Sequence, residues 1–179
     1  SQNNLLKMRN KIKNEANKLN WLIDWLISLS DIGHIKSQTN NKLIDIINEV
    51  VSNYQKDINN KKINVNINIW SNIVVKSNKN YLFIFLSNIV WNAIKYSNNQ
   101  WEIDINYKWL ELHIKDNGIW ISDNDLVHIW DRFYKADKSR NTKWYWIWLS
   151  IVKKISEIYW WEINVDSKLW EYTLFKIKF

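Results

Sequence analysis

The chain of 179 residues has no cysteine and no proline, and only two glycines. Without cysteine it can form neither a disulfide nor a thiolate nucleophile or metal ligand. Its three histidines, at positions 34, 113 and 128, are too scattered to indicate a zinc site. No apolar run approaches the ~18 residues of a bilayer-spanning helix, and no cleavable leader pattern opens the chain. These absences exclude disulfide scaffolds, thiol chemistry and a membrane span within this sequence.

The composition is otherwise that of a folded chain, with 46% hydrophobic and 24% charged residues. The length allows one full domain and an additional element. The net charge of +7 could serve nucleic acid, an anionic membrane surface or phosphate groups. Because the lysines are spread along the chain rather than clustered, we interpret them as a solvated surface, and no nucleic-acid partner is expected.

The first 33 residues carry apolar side chains at steps of three and four, which predicts one long amphipathic helix. The stripe consists of Leu5, Met8, Ile12, Ala16, Leu19, Leu22, Leu26 and Leu29. Such a narrow stripe is typical of a helix-bundle seam, and Gly33 is a plausible helix end. We therefore expect residues 1–35 to form a separate element, followed by a polar linker over residues 34–41.

Residues 41–179 are predicted to form an α+β domain, a two-layer sandwich of a mixed, largely antiparallel sheet with helices on one face. The pattern predicts helices over Leu43–Asn59, Asn80–Ser97, Asp123–Ile129 and Ile147–Tyr159. It predicts strands over Ile63–Ile69, Ile73–Val75, Glu102–Tyr107, Leu110–Lys115, Glu162–Asp166 and Thr173–Phe179. Alternation places Leu110 among the inward-facing side chains of its strand.

Candidate site residues come from separate elements. Asn88, Asn92 and Lys95 share one side of their helix, because positions three and four apart are neighbours. Amide oxygens suit Mg²⁺ and an ammonium group suits phosphate oxygens. Asp116 ends a strand before a turn, where a buried carboxylate could accept a hydrogen bond from an exocyclic amine such as adenine N6. Each of these signals is weak alone, since an isolated asparagine pair is usually a solvated helix face.

Residues 133–146 lack periodicity and would suit a flexible lid, and the segment Arg132–Arg140 adds cations and two aromatic rings. The helix predicted from Ile147 would present free backbone N–H groups and a positive dipole end to phosphates. With the preceding residues, the set describes a site for an adenine nucleotide and Mg²⁺ beneath a closing cover.

Four segments, taken in order, resemble the motifs of two-component sensor histidine kinases. Asn88–Ser97 resembles their N box, and Asp116–Ile121 resembles their first glycine box. Asp131–Lys135 is similar to the F box, and Trp144–Val152 to the second glycine box. The resemblance covers the second dimerisation helix (residues 1–35) and a complete ATP-binding domain of the Bergerat type (residues 41–179).

The resemblance implies a role for each matching residue. Asn92 would bind Mg²⁺, Asn88 and Lys95 would lie near the phosphates, and Asp116 would bind the adenine amino group. Gly118 would let the base approach the backbone, and Lys135 would face the terminal phosphate, so that Asn88 and Lys135 are the candidate catalytic residues. The remaining residues implied to line or close the nucleotide site are Tyr96, Trp120, Phe133, Tyr134, Trp144, Trp146, Trp148, Leu149 and Thr173.

The resemblance also implies a reaction and partners. The domain would use ATP and Mg²⁺ to phosphorylate a histidine, mainly by positioning and charge neutralisation. None of the three histidines lies in a phosphoacceptor motif, so the acceptor is expected outside this sequence. The expected partners are a second copy, through the dimerisation helices, and the receiver domain of a response regulator. We expect a cytoplasmic domain whose parent is anchored in the bacterial inner membrane by segments not present here.

Tryptophan stands where the family usually has glycine. The eight positions are Trp101, Trp120, Trp144, Trp146, Trp148, Trp160, Trp161 and Trp170. We interpret this as a decoding effect, because the codon UGA specifies tryptophan in one variant genetic code and glycine in another. If the tryptophans are genuine, their indoles would occupy space meant for ATP. The chain would then be a nucleotide-dead module that acts in dimerisation or docking.

Overall fold

The computed structural model describes residues 8–9, 38–97, 100–118, 121–131, 145–169 and 171–179, with the backbone alone over residues 145–148. The predicted first helix therefore lies almost entirely outside the described residues; residues 8 and 9 are helical. Internal contacts divide the chain into Ser1–Ser37 and Gln38–Phe179. Among the helices described, none combines the length and apolarity that crossing a membrane requires.

A five-stranded mixed sheet forms the centre of the second unit. Its strands are β2 (Asn64–Asn68), β4 (Glu102–Lys108), β5 (Glu111–Asp116), β6 (Glu162–Lys168) and β7 (Tyr172–Lys178). They lie in the order β2-β4-β5-β7-β6, with β2 parallel to β4 and every other pair antiparallel. The mixed, largely antiparallel sheet predicted from the alternating pattern is confirmed, and β5 lies at its centre.

Helices pack against this sheet. The described helices are α1 (Leu43–Asn53), α2 (Gln55–Lys61), α3 (Lys79–Tyr96), α4 (Asp123–Leu126) and α5 (Tyr145–Tyr159). Helix α3 contacts β5 and lies between α1 and α5. The sheet side chains buried with the helices are Ile103, Ile105, Leu112, Ile114, Phe175 and Ile177. Since α3 is covered by two helices and a strand, much of its circumference is buried, including its polar residues.

Three local predictions were wrong. The expected helix over 43–59 is broken at Tyr54, where α1 ends and α2 begins. The expected linker contains a strand, β1 (Thr39–Lys42), which pairs antiparallel with β3 (Val74–Ser77) in a separate two-stranded sheet. Leu110 does not face inward: it is 74% exposed and has a φ of 65° in the turn between β4 and β5. The shift of one residue at this turn places Glu111 at the start of β5.

Within the described part of the chain, two tryptophans adopt the left-handed backbone that favours glycine. Trp109 has a φ of 53°, and Trp160, which follows the last residue of α5, has a φ of 59°. Glycine is the usual residue just past a helix end in this conformation because a Cβ makes it costly. Trp161 behaves differently: its ring is buried and contacts Phe85 edge-on at a centroid distance of 5.1 Å. The eight predicted glycine positions are therefore not equivalent, and Trp161 has a packing role as an indole.

Replacing Trp160 by glycine is expected to raise the free energy of unfolding by about 1 kcal/mol, since a Cβ in the left-handed region costs about that much. Trp160 is 89% exposed, so little buried contact is lost with the indole. Alanine at 160 removes the indole but keeps the Cβ, and should recover little of this gain. Urea unfolding of the two variants measures the difference.

Trp70 provides the control, because it is also exposed but has no left-handed backbone. Trp70→Gly should lower stability through the added freedom of the unfolded chain. Equal gains from glycine and alanine at 160 would contradict the conformational explanation.

Candidate functional site

Two buried asparagines on α3 hold amide oxygens without a hydrogen-bond partner. Asn88 is 1% exposed and Asn92 is 6% exposed, and they are one helical turn apart. The Nδ2 of Asn88 donates to the carbonyl of Ile84 at 2.7 Å, which fixes the orientation of the amide. The Oδ1 atoms of both asparagines are buried and unpaired among the described residues. Because an unmet buried acceptor costs about 1–3 kcal/mol, the pair is suited to a ligand such as a hard cation, and thus fits Mg²⁺.

A tight turn follows the central strand. Asp116 ends β5 and is 3% exposed, and its Oδ1 accepts a hydrogen bond from the backbone N–H of Gly118 at 2.8 Å. Burial raises the pKa of Asp116 to about 7, against a smaller lowering by the Gly118 hydrogen bond. The carboxyl group therefore keeps its proton to a higher pH than an exposed aspartate, and its backbone contact leaves the second oxygen for another donor.

The same turn abuts the last turn of α3. A Cβ at residue 118 would lie 2.3 Å from Oδ1 of Asp116 and 3.1 Å from the carbonyl oxygen of Tyr96. Only glycine fits so close to both atoms. This contact brings the end of β5 next to the end of the helix that carries Asn88, Asn92 and Lys95.

Lys95 and Tyr96 belong to this last turn of α3. The Nζ of Lys95 lies 5.8 Å from the centroid of the Tyr96 ring. Burial lowers the pKa of Lys95, and the nearby charge of Lys61 lowers it further. A phosphate group beside Lys95 would oppose both effects, since a neighbouring anion favours the ammonium form.

Two hydroxyl groups line the sheet end beside Asp116. Thr173 on β7 pairs with Asp116 in the sheet and is buried. Its Oγ1 lies 3.0 Å from the Oγ of Ser167 on β6, which accepts a hydrogen bond from the backbone N–H of Ile121 at 2.8 Å. Ser167 thus holds the chain just beyond the Gly118 turn against the sheet. Sequence reasoning missed Ser167, because a serine inside a polar alternating strand carries no distinguishing signal.

The remaining predicted site residues are only partly described. Leu149 is buried on α5, the helix that packs against α3. The backbone of Trp146 and Trp148 is helical, as α5 begins at Tyr145 rather than Ile147. The residues that lie outside the described part of the chain are Trp120, Phe133, Tyr134, Lys135 and Trp144.

Comparison with known proteins defines the class. The model of a family described as histidine kinase-, DNA gyrase B- and HSP90-like ATPases matches residues 77–179. The chain belongs to this ATPase family. The match begins just before α3 and includes Asn88, Asn92, Asp116 and Gly118.

The relatives narrow the assignment to one branch. The sensor histidine kinase YclK of Bacillus subtilis is 32% identical over 83% of this chain and 34% of its own length. The phosphate regulon sensor protein PhoR of Haemophilus influenzae is 32% identical over 66% of this chain and 30% of its own length. The chain is an ATP-binding catalytic domain of the two-component sensor histidine kinase type, and it spans about a third of these curated relatives.

A solved structure agrees in fold. The histidine kinase AdeS of Acinetobacter baumannii superposes with a TM-score of 0.70 over 92% of this chain and 79% of that chain, at 18% sequence identity. At this identity the likeness concerns the fold, and it confirms the predicted α/β sandwich.

Substituting Gly118 by alanine is expected to destabilise the domain by about 2 kcal/mol, because the added Cβ overlaps Asp116 and presses on Tyr96. Asn117→Ala is the matched control, since Asn117 is the exposed neighbour in the same turn. Urea unfolding compares the two variants. A loss at 118 no greater than that at 117 would show that the turn has room to adapt.

The stability of the domain should depend on pH through Asp116. Its pKa is about 7 in the folded chain against an ordinary value of 3.8. The folded chain therefore keeps a proton that the unfolded chain loses. Its contribution to stability is fully present below the ordinary pKa, and it is lost as the pH rises through about 7.

As the pH rises from about 5 to about 8, we expect the free energy of unfolding of Asp116→Asn to increase relative to that of the unsubstituted protein, because asparagine has no proton to lose. Urea unfolding across this range gives the difference between the two proteins. A difference that stays constant with pH would contradict the raised pKa.

Proposed function

We propose that this domain transfers the γ-phosphoryl group of ATP to a histidine outside residues 1–179, with Mg²⁺ bound. The bond between the β,γ-bridging oxygen and the γ-phosphorus breaks, a bond from the imidazole nitrogen to phosphorus forms, the imidazole ring loses its N–H proton to solvent, and ADP leaves. Support comes from the amide oxygens of Asn88 and Asn92, which have no partner among the described residues, on the helix whose end at Tyr96 lies against the Gly118 turn. This juxtaposition is the single observation that carries the proposal.

Different residues of the chain would bind the adenine base and the Mg²⁺–phosphate group. Asp116 accepts a hydrogen bond from the adenine amino group, while the close turn at Gly118 admits the base. Thr173 supports this end through its position beside Asp116. The Oδ1 of Asn92 would hold Mg²⁺, with Asn88 near the phosphates; the ion would neutralise charge on the phosphate oxygens.

Lys95 supplies a cation to the phosphates at the end of α3. Lys135, Phe133 and Tyr134 would close over the nucleotide, with Lys135 toward the terminal phosphate, and Leu149 would contact the nucleotide from α5. The domain then acts by positioning and electrostatic stabilisation rather than by a covalent intermediate of its own.

The parent protein is proposed to work as a dimer that signals to a response regulator. Residues 1–35 would form the second helix of the dimerisation hairpin, and residues 41–179 the catalytic domain. A receiver domain would take the phosphoryl group from the phosphorylated histidine. The sensor kinase relatives support these proposals.

Calorimetric titration with Mg-ATP tests the nucleotide site. We expect a variant with glycine at 120, 144, 146 and 148 to bind at least about tenfold more tightly than the chain as it stands, because backbone N–H groups can then approach the phosphates. Asn92→Ala in the four-glycine variant should weaken Mg-ATP more than ATP with EDTA. Trp70→Gly in the unaltered chain controls for tryptophan removal away from the site.

Two results would contradict the proposal. If neither form binds Mg-ATP, the alternative function holds, a non-catalytic module in dimerisation or docking, which the tryptophans at family glycine positions favour. If the four-glycine variant binds ATP but Asn92→Ala leaves the Mg²⁺ dependence unchanged, the cation lies elsewhere.

A further inference from the structure

Lys61 caps the C-terminal end of α3, the helix that carries Asn88, Asn92 and Lys95. It is the last residue of α2, and its Nζ donates to three backbone carbonyls at the end of α3. The distances are 2.8 Å to Ile94, 2.7 Å to Lys95 and 2.9 Å to Ser97. An ammonium group has three N–H donors, so the side chain is fully used by this one helix end.

The contact of Lys61 satisfies backbone carbonyls at the C-terminal end of α3. The last carbonyls of a helix have no partner within it, and they carry the negative end of the helix dipole. A cation bound to three such oxygens satisfies them and neutralises that end. Ser97 adds a hydrogen bond from its hydroxyl to the carbonyl of Ala93 at 2.7 Å. The last turn of α3 is thereby fixed by a residue from a different helix.

This turn is contacted from two sides. Lys61 binds the carbonyls of Ile94, Lys95 and Ser97, while the carbonyl of Tyr96 abuts the Gly118 turn. Any displacement of the turn would change the placement of Lys95 and Tyr96 relative to Asp116. The backbone of Lys61 is also bound to the segment between α3 and β4, since its carbonyl accepts from the N–H of Gln100 at 2.9 Å.

We propose that Lys61 is a positioning residue for the nucleotide site, holding the last turn of α3 so that Lys95 and Tyr96 face the Asp116–Gly118 turn. This inference rests on the function proposed above, and it assigns to Lys61 no contact with the nucleotide. The sequence pattern of α2 offered no hint of this role, because a lysine at a helix end is ordinarily a solvated charge.

The pKa shifts reflect the partial burial of Lys61 and its proximity to Lys95. Burial lowers the pKa of Lys61, against a smaller opposing effect of Asp57. Lys61 is also close enough to lower the pKa of Lys95. Removing the charge of Lys61 should therefore loosen the turn and, separately, raise the pKa of Lys95.

The test compares Lys61→Met, Lys61→Arg and Lys56→Met, each made in the four-glycine variant and in the chain as it stands. Lys56 lies on the exposed side of the same helix, so its replacement removes an equal charge without touching α3. Lys61→Gln, which keeps two N–H donors, is the milder variant to use if Lys61→Met does not fold.

Hydrogen exchange in the absence of nucleotide is the first measurement. We expect the amides of residues 94–97 to exchange about tenfold faster in Lys61→Met, with α5 unchanged, because the bound charge stabilises the last turn locally. Lys61→Arg should restore much of the protection, and Lys56→Met should match the parent. Unchanged exchange at residues 94–97 in Lys61→Met would overturn the proposal.

Mg-ATP titration is the second measurement. Lys61→Met should weaken binding about tenfold and move the alkaline loss of affinity to higher pH, as the pKa of Lys95 rises. If Lys61→Met binds Mg-ATP more weakly but loses affinity at the same alkaline pH as the protein with Lys61, then Lys61 has only a structural role and the positioning role is overturned. If the four-glycine variant with Lys61 intact binds no Mg-ATP, the proposed function itself is overturned. If it binds Mg-ATP and Lys61→Met binds equally tightly, only the role of Lys61 is overturned.

Discussion

The close contact between the Gly118 turn and the end of α3 is the constraint on which the site depends. The turn carries Asp116 from the centre of the sheet, and α3 carries the two buried asparagines and Lys95. Because a Cβ at 118 would lie only 3.1 Å from the backbone carbonyl oxygen of Tyr96 on α3, glycine allows the two elements to approach this closely. Lys61 on one side and Ser167 on the other fix the same region with hydrogen bonds to backbone atoms. The end of the central strand and the end of α3 are thus held next to each other.

Much of this arrangement could be predicted from the sequence, because it follows short-range rules. Alternation identified β4 and β5, and a four-residue spacing put Asn88 and Asn92 on one side of α3. Local rules do not reveal long-range contacts. The partners of Lys61 and Ser167 lie far away in the chain, and β1 is polar and exists only through its pairing with β3. Leu110 was misplaced because a turn with positive φ at two residues is not expected without glycine or asparagine.

The tryptophans occupy positions that differ in backbone conformation and in side-chain packing. Trp160 occupies a left-handed position where an indole gains nothing from packing, whereas Trp161 contacts the rings of Phe85 and Phe179. Trp109 was not among the predicted glycine positions, yet its backbone is also left-handed. A conformational demand for glycine at some tryptophans is therefore visible in the fold itself, independently of any requirement for phosphate binding.

The most direct test of the account is the paramagnetic effect of Mn²⁺ on the asparagine side-chain amides, observed by NMR in the four-glycine variant. With ATP present, Mn²⁺ in place of Mg²⁺ should broaden the Nδ2 signals of Asn88 and Asn92 strongly. The exposed Asn53, at the end of α1, should be affected much less, because relaxation falls steeply with distance. Equal broadening of all asparagines, or broadening that does not require ATP, would contradict the claim that α3 and the Asp116 turn form one nucleotide site.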